Sequence, residues 1–354
     1  MANIHIITYG CTANQDDSSI LEGLIKKHHK ITNQQKADII IINTCVVKHP
    51  TINKVITKIK QLYKLKKIII AGCLPLSQEQ FCKKNFPKAA LINSYNTKKI
   101  NRIIKDILKN KPSHLLTKPK ISKLSLPKSE YKSIQISQGC NFNCSFCLTK
   151  VAKPLLISEK PSSIIKEIKS YIKKGVKRIN LTATDLGCYG LDIKTTLPSL
   201  LKQIINIKGQ FKIRLGMMNL FYTKLYLKDL LEIYKSPKII KFLHMPVQSG
   251  SNKILKNMNR NYSAKDFKDI INKFRKEIPN ITISTDIIVG YPTETEKDFQ
   301  QTLKLIKQTK PEVLNISKFS SMPNTKASKL KQLSSEIIKE RSKQLTELYK
   351  TSLK

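Results

Sequence analysis

Three runs near the start of the chain, "IHIITYG", "ADIIIINT" and "KKIIIAG", are apolar without polar alternation and rich in Ile. Strands buried on both faces of a parallel sheet read this way. Each is followed by a helical stretch. The first opens near Asp16 and Asp17, good N-cap residues, and continues through "SSILEGLIKKHH" with apolar positions at helical spacing. The pattern predicts a small doubly wound α/β domain over residues 1–115. The stretch "KNKPSHLLTKPKISKLSLPKSEYK", with Pro112, Pro119 and Pro127, keeps no period and predicts a linker, placed at 116–130. Beyond it, "YKSIQIS", "VKRINLT", "FKIRLG", "IIKFLHM", "ITISTDIIV" and "PEVLNISKF" recur with helix-length patterns between them. These repeats predict a partial (β/α)6 barrel over 131–333, short of a full eight-fold ring. The last stretch predicts one helix over 334–354, with Ile338, Leu345 and Leu348 on a stripe.

A chain of 354 residues has room for two domains with cores of their own. No charged-then-apolar leader opens it, and the longest apolar run, "ADIIIINTCVV", falls short of the roughly 18 residues of a membrane span. The expectation is a cytoplasmic protein with no membrane partner. In a reducing compartment the eight cysteines read as metal ligands or catalytic groups before disulfides. The balance of 65 basic to 24 acidic residues, a formal charge of +41, points to a polyanion partner, RNA or DNA. A Lys-heavy solvated surface is the alternative, since only six of the basic residues are Arg. Trp is absent, which disfavours broad base-stacking platforms.

The cysteines fall into two sets. "CNFNCSFC" places Cys140, Cys144 and Cys147 directly after a strand-like run, in a loop at the C-terminal mouth of the barrel. Structural zinc takes four ligands, and the nearest histidines in sequence are His114 and His244. A disulfide would leave one thiol over. Three thiolates suit a 4Fe-4S cluster with one iron open to a substrate or cofactor. Cys11, Cys45 and Cys73 each stand at the end of a predicted N-terminal strand, and like ends of parallel strands share one sheet edge, where open α/β sheets place ligands. Three such thiols favour a second cluster over buried core fillers. Cys82 and Cys188 read as structural thiols.

The C-x3-C-x2-C spacing resembles that of radical S-adenosylmethionine enzymes. With both cysteine sets in this order, the chain is similar to the methylthiotransferases of the MiaB, RimO and MtaB group. The likeness is carried by "GCTANQDDS", "ADIIIINTCVVKHPT", "IAGCLP", "GCNFNCSFC", "LHMPVQSGS", "MNRNYS" and "TDIIVGYPTET". "TATDLGCYGLDI" and "RLGMMN" look most like the archaeal and eukaryotic MtaB branch, which modifies N6-threonylcarbamoyladenosine at tRNA position 37.

The resemblance implies two 4Fe-4S clusters and S-adenosylmethionine as cofactors. The cluster on Cys140, Cys144 and Cys147 would bind S-adenosylmethionine and generate a radical that removes hydrogen from C2 of the adenine. The one on Cys11, Cys45 and Cys73 would hold the sulfur to be inserted. Expected partners are tRNA, an external electron donor and a sulfur donor. Isopentenyladenosine in tRNA, or a ribosomal-protein aspartate, is the rival substrate; a zinc-containing, non-catalytic RNA-binding protein is the rival class.

Asp185, Arg214 and Asp286 are the candidates for the chemistry and Gln248 for holding cofactor, with His244 beside them. All fall at or just after strand-like runs, where each reads equally as a polar residue closing a strand. Two departures from the group stand out. Its Ala-Arg-Gly step after the third cysteine is here "TKVAKPLL", with Lys153 and Pro154. Its terminal RNA-binding TRAM module is expected to be absent, leaving RNA capture to the basic surface, a partner or a separately encoded module.

Overall fold

The computed structural model describes residues 1–10, 12–47, 49–117 and 131–352. The chain divides into two units. Met1–Lys128 with Cys147–Pro154 forms one, and Ser129–Phe146 with Leu155–Lys354 the other.

In the first unit the Ile-rich runs become β1 (Asn3–Thr8), β3 (Ile39–Thr44) and β4 (Lys67–Gly72) of a six-stranded sheet. The others are β2 (Lys30–Ile31), β5 (Ala90–Asn93) and β6 (His114–Leu115), and the order is β2-β1-β3-β4-β5-β6, every pair parallel. Ile39, Ile41, Ile69 and Ile92 meet Leu21, Ile25, Ile100, Ile103 and Ile104 in the core. Each such side chain contributes roughly 1.5–3 kcal/mol by leaving water.

The helix after β1 spans Thr12–Ile25, so it begins before Asp16 and Asp17 and neither caps it. Asp17 is instead buried, 3.8 Å from the equally buried ammonium of Lys153. A long-range ion pair has claimed the carboxylate that local propensity would assign to a cap. Lys153 follows the short helix Leu148–Ala152, which packs on Leu74–Ser77. Cys82 lies in the helix Glu79–Asn85, fully buried, and burial pushes its thiol up to about 12. It is inert.

The second unit holds the barrel strands β7 (Tyr131–Gln135), β10 (Arg178–Thr182), β11 (Lys212–Leu215), β12 (Phe242–His244), β13 (Thr282–Val289) and β14 (Val313–Lys318). A small antiparallel pair, β8 (Ser137–Gln138) and β9 (Ile157–Ser158), lies between the first two. The ladders run β11-β10-β7 and β12-β13-β14, all parallel, and the bridge Ile213↔Ile239 links them. The result is a six-stranded partial barrel, as the repeat count predicts.

Each strand has two different faces, because side chains alternate. Ile179, Leu181, Ile213, Leu215, Leu243, Ile283 and Ile287 are buried with helix residues such as Ile168, Leu200, Phe267 and Phe299. The alternating positions are Asn180, Thr182, Arg214, His244, Ser284, Asp286 and Asn315, paired in register as Asn180↔Arg214, His244↔Ser284 and Asp286↔Asn315. The same alternation brings Phe242 and Ile288 to this face, which is otherwise polar, unlike a closed (β/α)8 barrel, whose interior is filled by branched apolar side chains. The final helix, Ser335–Ser352, buries Leu345 and lays Leu348 on the barrel core.

Candidate functional site: two cysteine-bearing strand edges

In the first unit, Cys45 follows the end of β3 and Cys73 the end of β4, both buried. The ladder continues one step beyond the strands: the Cys73 amide donates to Thr44 O at 3.0 Å. Thr44 Oγ1 donates to Ala71 O at 2.6 Å and accepts from Leu74 N at 3.0 Å, fixing the two turns together. Asn43 donates to Asn14 O and Ser18 Oγ, both at 2.8 Å, and Asn14 Nδ2 donates to Thr44 O at 2.9 Å. The strand order reverses between β1 and β3, and such a switch point is where open α/β sheets bind ligands.

Gly10, at the end of β1, has φ +121, and a Cβ there would sit 2.3 Å from Cys45 Cβ. Any side chain is excluded. Cys11, the next residue, lies outside the described residues. Gly10→Ala is expected to push Cys45 off its position, and iron bound at the N-terminal edge should fall in anaerobically reconstituted protein while iron at the barrel is kept. Unchanged iron content would show that the close approach is dispensable.

In the second unit the loop after β8 is held by its backbone. Gly139 has φ +78 and donates to Thr184 Oγ1 at 3.2 Å; a Cβ there would meet Leu155 O at 1.8 Å. Ser145 N donates to Met258 O at 3.1 Å, Ser145 O accepts from Ala327 N at 2.8 Å, and Ser145 Oγ meets Asn257 O and Tyr291 OH, each at 2.9 Å. Asn259 Nδ2 donates to Asn143 O at 2.8 Å. Phe142 packs edge-on against Phe221 and Tyr222. Cys140 and Cys144 are thereby presented half-buried on a fixed loop; Cys147, which counts with the first unit, stands at the N-cap of Leu148–Ala152. A run of soft thiolates on rigid backbone suits an iron–sulfur cluster.

Asp185 is buried behind Cys140. Its Oδ1 accepts from Gly187 N and Asn219 N, both at 3.0 Å, and its Oδ2 lies 3.9 Å from Cys140 Sγ. Burial pushes the carboxyl up to about 6, against the pull of those two amides. Cys188 Sγ, fully buried, lies 3.1 Å from Asp185 O. Asp286 and His244 form a pair: His244 Nε2 is 3.0 Å from Asp286 Oδ2, and Asn315 Nδ2 donates to Asp286 Oδ1 at 2.7 Å. Gln248 joins through its backbone, donating to Asp286 O at 2.8 Å with a left-handed φ of +74. Its buried Oε1 has no hydrogen-bond partner among the described residues. Arg214 lies apart, its guanidinium 4.2 Å over the Phe242 ring, with its pKa lowered by burial and then by Arg178.

The structure thus joins Asp185 to Cys140 and joins His244, Gln248 and Asp286 to one another. Asn315 and Asn180 were not singled out from the sequence, and Cys188, near the site by its place after a barrel strand but read as structural, stands beside Cys140. The polar half of each strand's alternation carried a signal for the first two.

Residues 134–306 match the Radical SAM superfamily and residues 3–94 match a family described as uncharacterized protein family UPF0004. Among solved structures, the radical S-adenosylmethionine methyltransferase TsrM from Kitasatospora setae aligns with a TM-score of 0.66 at 11% identity, over 93% of this chain and 75% of that one. At that identity the likeness is one of fold. A half-barrel with C-x3-C-x2-C behind its first strand, matched to that superfamily, defines a radical S-adenosylmethionine protein. Such proteins use S-adenosylmethionine with a 4Fe-4S cluster, and methylthiotransferases carry a second cluster.

A probable threonylcarbamoyladenosine tRNA methylthiotransferase of Methanocaldococcus jannaschii is 39% identical, aligned over 98% of this chain and 82% of that protein. The human threonylcarbamoyladenosine tRNA methylthiotransferase is 34% identical over 98% of this chain and 62% of its own length. The chain belongs to the threonylcarbamoyladenosine tRNA methylthiotransferase family, and it is a transferase. No helix among the described residues is long and apolar enough to cross a membrane.

Proposed function

We propose that this chain methylthiolates C2 of N6-threonylcarbamoyladenosine at position 37 of tRNA, in the cytoplasm. The reading rests most on one observation: the Cys73 amide bonded to Thr44 O sets Cys45 and Cys73 side by side at the switch-point edge, with Gly10 against Cys45. Cys11, Cys45 and Cys73 would hold one cluster, and Cys140, Cys144 and Cys147 the other. When bound, the clusters and S-adenosylmethionine supply the radical, the sulfur and the methyl group, and external electron and sulfur donors renew them.

The protein's part is holding and orienting. Gly10 and Gly139 let backbone approach where any side chain would collide. Asp185 ties the turn after β10 to Asn219 and backs Cys140. The polar inner face, with Asn180, Arg214, His244 and Asp286, offers hydrogen bonds to a nucleoside or an amino-acid moiety rather than an apolar plug. Gln248 is the candidate for direct contact, because a buried carbonyl oxygen without a donor is costly until a ligand supplies one.

The chain's net charge of +41 would hold the RNA through phosphate contacts. A protein making several such contacts loses about 10³-fold or more in affinity between low and physiological salt. That steep decline is expected for tRNA measured by filter binding; a flat profile would leave capture to another component. The decisive experiment incubates anaerobically reconstituted protein with tRNA, S-adenosylmethionine, a strong reductant and sulfide. Nucleoside mass spectrometry should find the methylthio increment on threonylcarbamoyladenosine. Its appearance on isopentenyladenosine alone would move the substrate, and no increment on any nucleoside would end the tRNA reading.

A further inference from the structure

We propose that Cys140, Asp185 and Cys188 form a mononuclear site for a thiophilic divalent metal, Zn2+ or Fe2+, filled when no cluster engages Cys140. The thiols of Cys140 and Cys188 and a carboxylate oxygen of Asp185 lie within 4.8 Å of one another. In a tetrahedral site with metal–sulfur bonds of about 2.3 Å and metal–oxygen bonds of about 2.0 Å, sulfur and oxygen stand roughly 3.5 Å apart. The 3.9 Å between Cys140 Sγ and Asp185 Oδ2 needs only a small adjustment. Two sulfurs and one oxygen make a donor set suited to zinc or ferrous iron, one donor short of the four that a closed structural site uses.

The three groups are held by separate devices that converge. Cys188 sits on the single turn Leu186–Cys188, whose start is fixed by Asp185 accepting from Gly187 N. Gly187 admits no side chain, since a Cβ would lie 2.5 Å from Tyr222 Cβ. Tyr222 and Phe142 wall the other side with Cys188 in one apolar cluster. Asp185 is fixed from a second direction by Asn219 N. Cys140 is oriented by the amide of Phe142, which donates to its sulfur at 3.4 Å.

The chemistry is an exchange without electron transfer. The metal ion forms one bond to each sulfur, the two S–H bonds break, two protons leave to solvent, and the Asp185 carboxylate adds a lone pair. Because Cys140 is shared, this site and a cluster on Cys140, Cys144 and Cys147 exclude one another; the exclusion rests on the cluster reading above, the binding does not.

The test uses the full chain with Cys11, Cys45, Cys73, Cys144 and Cys147 changed to serine, titrated anaerobically with Co2+ alone. One cobalt per chain with a thiolate-to-cobalt charge-transfer band is expected, and adding Cys188→Ser should abolish the band. No binding in a five-serine chain whose far-UV circular dichroism matches the parent's, or a band that survives Cys188→Ser, overturns the proposal. A second arm keeps the chain otherwise unaltered. Zn2+ added before iron and sulfide should cut iron uptake by about four per chain, and Cys188→Ala should restore it. Zinc that blocks both chains equally overturns the exclusion. A chain that takes up no iron even without zinc sinks the cluster reading while leaving the cobalt result standing.

Discussion

Cys144→Ala and Cys73→Ala are expected to break the reaction at different points. The first should drop bound iron from about eight to about four per chain and abolish formation of 5′-deoxyadenosine. The second should lose the same amount of iron yet still cleave S-adenosylmethionine, with no methylthio product on tRNA. The difference follows from where the two residues stand. Cys144 belongs to a loop fixed by Ser145 and Asn259 contacts in the barrel unit, and Cys73 to the turn fixed by Thr44 in the α/β unit. Measurement needs only iron analysis and chromatography of the two products. A Cys73→Ala protein with full iron and full product would remove the N-terminal edge from the mechanism.

Arg341→Met is expected to cost the barrel about 3–5 kcal/mol of stability, the usual consequence of leaving a buried charge without its partner. Arg341 Nη1 donates to Glu294 Oε2 at 2.9 Å and to Glu294 O at 3.0 Å, and the two side chains are only 7% and 1% exposed. Glu294 also accepts from Gly290 N at 2.8 Å, so the final helix, the turn after β13 and the helix Glu296–Thr309 meet in one polar knot. Burial already raises the Glu294 pKa, against the pull of Gly290 and Arg341. Removing the arginine raises it further. The native state then holds a proton that the unfolded chain has released, so the variant's stability falls as pH rises through that window. Urea midpoints should therefore show a smaller deficit near pH 5 than near pH 8. Equal deficits at both would mean that Glu294 stays charged without its partner. Arg341→Met with Glu294→Gln should recover part of the loss, because the buried charge is gone as well.

The strands that sequence made plain are the long, uniformly apolar ones. β3 and β4 announce themselves through Ile because both of their faces are covered, whereas β1, equally Ile-bearing, fully buries Ile4 alone. β2 and β6, two residues each, carry no period at all and exist through pairing with β1 and β5. β6 even lies within the proline-bearing stretch that looked like a connector. The barrel strands were legible as elements, but their division of labour was less so. Ile179 and Leu181 alternate with Asn180 and Thr182 because one side of β10 meets helices and the other does not.

The same physics separates the legible part of the site from the rest. Cysteines at strand ends can be located by spacing, since strand ends share an edge. Asp17 could not be assigned correctly, because its partner Lys153 lies far along the chain. Cys188 looked like an idle thiol for a similar reason: only the fold brings it beside Cys140.

A barrel whose inward side chains are mostly serine, asparagine, arginine, histidine and aspartate is glued mainly along its outer skin. Cohesion comes from the belt of isoleucine and leucine under the helices, while the inward polar groups can pair with one another or with a polar guest. The bonds from His244 and Asn315 to Asp286 give that inner lining a fixed arrangement of its own.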